Sequence, residues 1–325
     1  MAEIPHIKFA VNDKAYCFWD LDVRGKNLAF IKNIDPKYFE HCADINGALL
    51  EGEQKQYAAA ALRIAYSQGL ETLFALLCAV VQAPDCVVGW FLKYQNRDLF
   101  ELVRKISEGQ SIFSKLRDHR VTWRAIAELV FTPFKTGDQG KDKFIRGNFA
   151  RLWEHFASEF LDKKVEVEYN SIKHGLRARL GGFYFAMGLE EAPGVPAPPE
   201  RMQTMTNSVF GSSFFVSERL HDTRNFTVSH QSLNWVPENF IDALHLISSS
   251  IHNAVAFLRV LHREPLNEVP FVWYEDEETY LQPWSRSTGL TSFALHAQVT
   301  EVDITPLSKD EIVAVYDDND QNGCF

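Results

Sequence analysis

A run of nine apolar residues, Leu73–Val81, lies inside a longer helix-forming segment, residues 51–92. No other stretch limits the fold so strongly, because so much apolar surface has to be buried somewhere. A bilayer span needs about 20 consecutive apolar residues. Pro84 and Asp85 interrupt this segment before Val87–Leu92 resumes it. The reading is a buried helical hairpin and no membrane span. "EGEQKQYAAAALRIAYSQG" is expected to end at Gly69. "LETLFALLCAVVQA" is expected to follow as a second helix that stops at Pro84.

The helical pattern continues through "CVVGWFLKYQNRDLFELVRKISEG" and "VTWRAIAELVF". In "FIRGNFARLWEHFASEFL", Phe149, Leu152, Trp153, Phe156 and Phe160 form one apolar stripe. After Gly175 the period changes. "LRARL", Gly-Gly and "FYFAMG" read as a hairpin, and "GSSFFVSERL" and "RNFTVSHQSLNW" alternate like strands. A long helix is predicted from Pro237 to about His262, with Pro237 in its first turn. Phe240, Leu244, Ile247, Ile251, Ala254, Leu258 and Leu261 should face the core.

The fold class expected is therefore mainly α (α+β): a helical bundle with a small antiparallel β insertion, about residues 176–234, before the last long helix. Residues 36–264 form the main domain. Residues 1–35 read as irregular or as short strands. Residues 265–325 read as acidic and irregular, with "SFALHAQVTEVDI" and "EIVAVY" as candidate strands.

Charge supports that division. The chain of 325 residues has a net charge of −10. Residues 265–325 hold twelve acids against Arg286 and Lys309, so the rest is close to neutral. An acidic segment repels phosphate at long range but leaves room for a local basic site. Five cysteines without CxxC or zinc spacing suggest neither a disulfide framework nor a metal site. No signal peptide is seen, so a reducing, cytoplasmic location is expected. "DNDQNG" at 318–323 lacks the acid that a calcium loop needs at its twelfth position, and "YEDEE" at 274–278 reads as a solvated loop. No metal and no cofactor are expected.

The polar stretch "EYNSIKHGLRARLGG", residues 168–182, is the strongest candidate site. On a helix, Asn170, Lys173 and His174 share one face. Arg177 and Arg179 follow on one side of a strand. Such a group can hold a phosphate and supply an acid or base near neutral pH. The same residues also suit a plain helix end, where Lys and His favour the dipole and Gly175 sits just beyond. On the last long helix, His245, His252 and Arg259 form a polar stripe that reads mainly as a solvated face.

"YNSIKHG" is similar to Asn-x-x-Lys-His stretches of bacterial helical-bundle proteins of the HEPN type (higher eukaryotes and prokaryotes nucleotide-binding domain). "RNFTVSH" resembles that family's Arg-x5-His signature, with Arg224, Asn225 and His230 in place. The resemblance covers roughly residues 140–262. It departs from the family where Phe226 and Val228 alternate as in a strand, since the family's motif lies on a helix. It implies a metal-independent ribonuclease, or a nucleic-acid-linked toxin or phage-defence protein. His174, Lys173, Asn170, Arg224 and His230 would be catalytic, Arg177 and Arg179 would bind phosphate, and RNA would be the partner. The alternative is a non-catalytic helical scaffold with a protein partner or a second copy of itself. Neither reading involves a membrane.

Overall fold

The apolar segment that opened the argument becomes one helix. In the computed structural model, which describes residues 6–114, 120–174, 177–220, 225–300 and 308–321, α3 runs unbroken over Lys55–Gln82. The helix passes straight through Gly69, where the sequence suggested a stop. The reason lies across the core. A Cβ on Gly69 would sit 3.0 Å from Ile247 Cγ2 and 3.4 Å from Phe39 Cδ1. Gly69 therefore serves close helix packing and not a cap.

The elements preceding α3 are β1 (His6–Val11), β2 (Lys14–Trp19), α1 (Val23–Lys32) and α2 (Lys37–Gly47). Residues 6–32 thus hold two short strands, one of the two forms expected for this segment, and a helix that was not expected. β1 and β2 form an antiparallel hairpin that turns at Asn12 and Asp13, with Asn12 at φ 52°. Its tip is fastened by Lys105, a buried ammonium that donates to Asn12 Oδ1 at 2.8 Å and Asp13 Oδ2 at 3.1 Å.

After α3 come α4 (Val87–Lys93), α5 (Asn96–Ser107), α6 (Trp123–Val130), α7 (Gln139–Phe160) and α8 (Lys163–Lys173). On α7 the expected stripe is buried at Phe149, Leu152, Trp153 and Phe156, with Phe160 half-buried at its end. α9 covers Pro237–Leu261, as the spacing predicts, and packs on α2 and α3. Of its expected core positions, Leu244, Ile247, Ile251, Ala254 and Leu258 are buried, Phe240 is half-buried and Leu261 is exposed. α3 and α9 are both long and apolar enough to cross a bilayer, but 72% of each apolar window is buried inside the protein.

The strands are β3 (Ala178–Leu180), β4 (Tyr184–Met187), β5 (Gln203–Asn207), β6 (Gly211–Arg219), β7 (Phe226–Asn234) and β8 (Ser292–Val299). β6 and β7 are strands, as the alternation predicts, and they pair antiparallel. β3 and β4 do not form the expected hairpin. β3 pairs with β6, and β4 pairs with β5 in a separate ribbon. Between them Gly182 crosses close to Gly211. A Cβ on Gly211 would lie 2.1 Å from Leu233 O and 2.9 Å from Gly182 Cα. Backbone, not a flexible side chain, blocks that space. Gly211→Ala is therefore expected to lower stability by about 1–3 kcal/mol in guanidinium denaturation, the usual cost of overpacking.

The sheet is not a closed insertion either. β8 comes from beyond α9 and completes the antiparallel order β3-β6-β7-β8. The segment after Pro265 also supplies α10 (Glu277–Leu281) and α11 (Lys309–Gln321). "EIVAVY", read as a strand, lies within α11. Far from being an irregular tail, this segment buries Val269, Phe271 and Tyr280 in the main core. Glu275 and Glu277 of "YEDEE" pair with Lys141 at 2.8 Å and Arg151 at 2.5 Å. The class is mixed α+β.

Candidate functional site

α8 presents two chemically different sides, and adjacent residues belong to each. Asp162 starts it by accepting from Lys164 N at 2.8 Å. Its inner side carries Glu168, which is fully buried. Arg63 of α3 donates to Glu168 Oε2 from Nε at 2.8 Å and from its terminal nitrogen at 2.7 Å. Glu168 Oε1 accepts from Trp235 Nε1 at 2.8 Å and from the Ser212 hydroxyl of β6. Burial alone would lower the Arg63 pKa, but the charge and hydrogen bonds of Glu168 outweigh it and raise it. One carboxylate so ties α3, α8, the sheet and the entry to α9. With four donors satisfied, it has no capacity left for a ligand, and its role is architectural.

The outer side of α8 faces a cleft of about 260 Å³ shared with α3, α5 and the end of α7. Leu70, Phe100, Phe160 and Val165 give it an apolar floor. The Phe100 and Phe160 ring centroids are 6.3 Å apart. Glu71, Asn96, Arg97, Glu166, Tyr169 and Asn170 supply its polar groups. Ser67, one helical turn before Glu71, also lines it. The Ser67 hydroxyl oxygen is buried and has no hydrogen-bond partner. A buried hydroxyl without a partner costs free energy that a bound group can recover.

Tyr169 links cleft and helix. Burial pushes its phenol up to about 12, and the neighbouring Glu71 charge and hydrogen bond add to the shift. Burial pushes Tyr280 up to about 12, against the lowering effect of its hydrogen bond with the Tyr274 backbone. Both phenols hold their protons more tightly in the folded chain than at the unfolded value of 10.0. The stability they contribute is therefore complete below pH 10 and is lost as pH rises from 10 toward about 12. Denaturation midpoints measured across that window should fall, and Tyr169→Phe with Tyr280→Phe should flatten the fall.

The residues singled out in the sequence are divided by the sheet. Asn170 lines the cleft. Lys173 is exposed at its edge, with Nζ 5.1 Å from the Tyr169 ring centroid. His174 is exposed at the end of α8, where its N–H donates to Asn170 O at 3.1 Å. Arg177 closes that end: its N–H donates to Ser171 O at 2.8 Å and its Nε to His174 O at 3.0 Å. Gly175 lies outside the described residues, but the helix stops at Lys173 and a strand begins at Ala178. Arg179 pairs in register with Ser213, and His230 with Phe215. Ser213 and Phe215 alternate with Ser212, Phe214 and Val216, which are buried on the α8 side. Arg179 and His230 thus occupy the opposite face of the sheet from α8. His230 stacks on Phe215 at 4.7 Å between centroids. Arg224 is outside the described residues.

On α9, His245 meets Asp44 at 3.4 Å, His252 contacts Pro270 O at 2.9 Å, and Arg259 pairs with Glu264 at 2.6 Å. None of these three contacts involves α8. Among the described residues no group of three or more His, Cys, Asp or Glu side chains is placed to hold a metal. The residues that sequence reasoning missed are Ser67, Glu71, Arg97 and Phe100. They sit on helices far away in sequence, and the helix stop expected at Gly69 placed Ser67 and Glu71 on different helices, whereas α3 carries both. Compared with protein-family models, curated proteins and solved structures, the chain matches none.

Proposed function

We propose that the protein is a binding module whose cleft between α3, α5, α7 and α8 holds a small organic ligand with a flat apolar body and a hydrogen-bonding head. The partnerless Ser67 hydroxyl carries this reading, because it is a buried polar atom on the cleft wall with its capacity unused. Phe100 and Phe160 suit the apolar body, and Glu71, Tyr169 and Asn170 suit the head. Ligand-observed NMR with a panel of small aromatic alcohols and amines tests it. Asn170→Trp, a half-exposed position on the cleft, should block the signal while thermal stability is kept. No binding to either protein, or equal binding to both, counts against the cleft.

The ribonuclease reading is a second proposal. It is favoured by Lys173, His174 and Arg177, three basic side chains exposed at one helix end beside the cleft. There His174 would act as the base and Arg177 would grip phosphate. Purified protein incubated with single-stranded RNA and chelator would be compared with His174→Ala, His230→Ala and the double variant. Loss of cleavage in His174→Ala supports it. Equal cleavage by wild type and double variant points to a contaminant, and no cleavage removes the reading.

A further inference from the structure

We infer that the cleft selects a cationic ligand, an organic amine whose ammonium sits between Ser67 and Glu71 while its apolar body lies on Phe100 and Phe160. This inference rests on the binding reading above and specifies its chemistry. Ser67 and Glu71 are four residues apart on α3, so their side chains rise side by side from one helix face. The Ser67 oxygen offers lone pairs that nothing uses. The Glu71 carboxylate interacts with the Tyr169 phenol and retains further acceptor capacity. An ammonium brings three donors and no acceptor, which matches two neighbouring acceptors on one wall.

Charge points the same way. The cleft is lined by two carboxylates, Glu71 and Glu166, against one guanidinium, Arg97, a balance of −1. Glu71 is half-buried, whereas Arg97 is exposed to water on the first turn of α5. Screening therefore weakens the positive group more than the negative one beside the floor. An anionic head would approach two carboxylates, and on that wall it would leave the Glu71 carboxylate without a donor, with the Ser67 hydroxyl alone to donate to it. A cationic head also gains from the electron-rich faces of Phe100, Phe160 and Tyr169.

Three ligands of one body distinguish the possibilities: 3-phenylpropylamine, 3-phenylpropan-1-ol and 3-phenylpropanoate, titrated calorimetrically into the full chain near pH 7.5. The amine should bind about tenfold or more tightly than the alcohol, as a charge-assisted hydrogen bond does over a neutral one. The carboxylate should bind weakest. Glu71→Gln keeps an acceptor for Tyr169 and should bring the amine's affinity down to that of the alcohol measured on the same variant. Glu166→Gln, at an exposed position, should reduce that advantage in part and serves if Glu71→Gln folds poorly. Rising salt should weaken the amine alone. If the alcohol or the carboxylate binds as well as the amine, the cationic preference is overturned and the cleft itself stands. If none of the three binds, both are overturned.

Discussion

Glu168→Gln is expected to lower unfolding free energy by about 3–5 kcal/mol, the usual cost of removing one partner from a buried ion pair. Glutamine can still accept from Ser212 and Trp235, but its amide nitrogen faces the guanidinium, so the charge and both hydrogen bonds from Arg63 are lost together. Arg63 would remain a fully buried guanidinium with no counter-charge at hydrogen-bond distance. Arg63→Met should cost a similar amount for the reciprocal reason. The double variant Arg63→Met, Glu168→Gln should recover much of it, because both desolvated charges are gone, glutamine still accepts from Trp235 and Ser212, and the two effects are coupled. Chemical denaturation of the four proteins measures this. A Glu168→Gln protein with the wild-type midpoint would overturn the account.

Leu258→Ala is expected to cost about 2–5 kcal/mol, since it empties a fully buried site where α9 meets the core. Leu261, one turn on, is 44% exposed. Leu261→Ala should change stability by only about 0.5 kcal/mol, in line with other surface changes. The pair makes the test internal: similar losses at both positions would mean that α9 does not present one buried face.

What could be read from sequence was whatever a segment decides by itself. α9 was legible because Pro237 marks its start and apolar residues recur at helical spacing to Leu258. The β6 and β7 strands were legible from alternation. Gly69 was misread because a glycine at a helix stop and a glycine under a crossing helix look alike. Only Ile247, far along the chain, separates the two cases. Gly181-Gly182 was misread for a related reason: β3 skips to β6, and β4 pairs forward with β5 across the Pro-rich loop. In the candidate site, the 168–182 stretch drew attention through Lys173 and His174, which prove to be exposed. Its buried members carry more structural consequence. Glu168 is defined by Arg63 and Ser212, and Tyr169 by Glu71, and those partners arrive from α3 and β6.

The late arrival of β8 has a consequence for how the chain is made. A ribosome delivers β6, β7 and the whole of α9 before Ser292 emerges. During that interval β7 has an open row of N–H and C=O groups along the edge that β8 later covers. Tyr280 and Trp284, which pack against Phe149 and Phe156 of α7, are delivered only shortly before. The helical core and the sheet are therefore both finished from the same late segment. A nascent chain halted before Tyr280 presents a bare β7 edge and an incomplete aromatic core to whatever is nearby, and one halted between Trp284 and Ser292 presents the bare edge alone. Once Val299 is in place β7 is paired on both sides, and the edge of the sheet has moved out to β8.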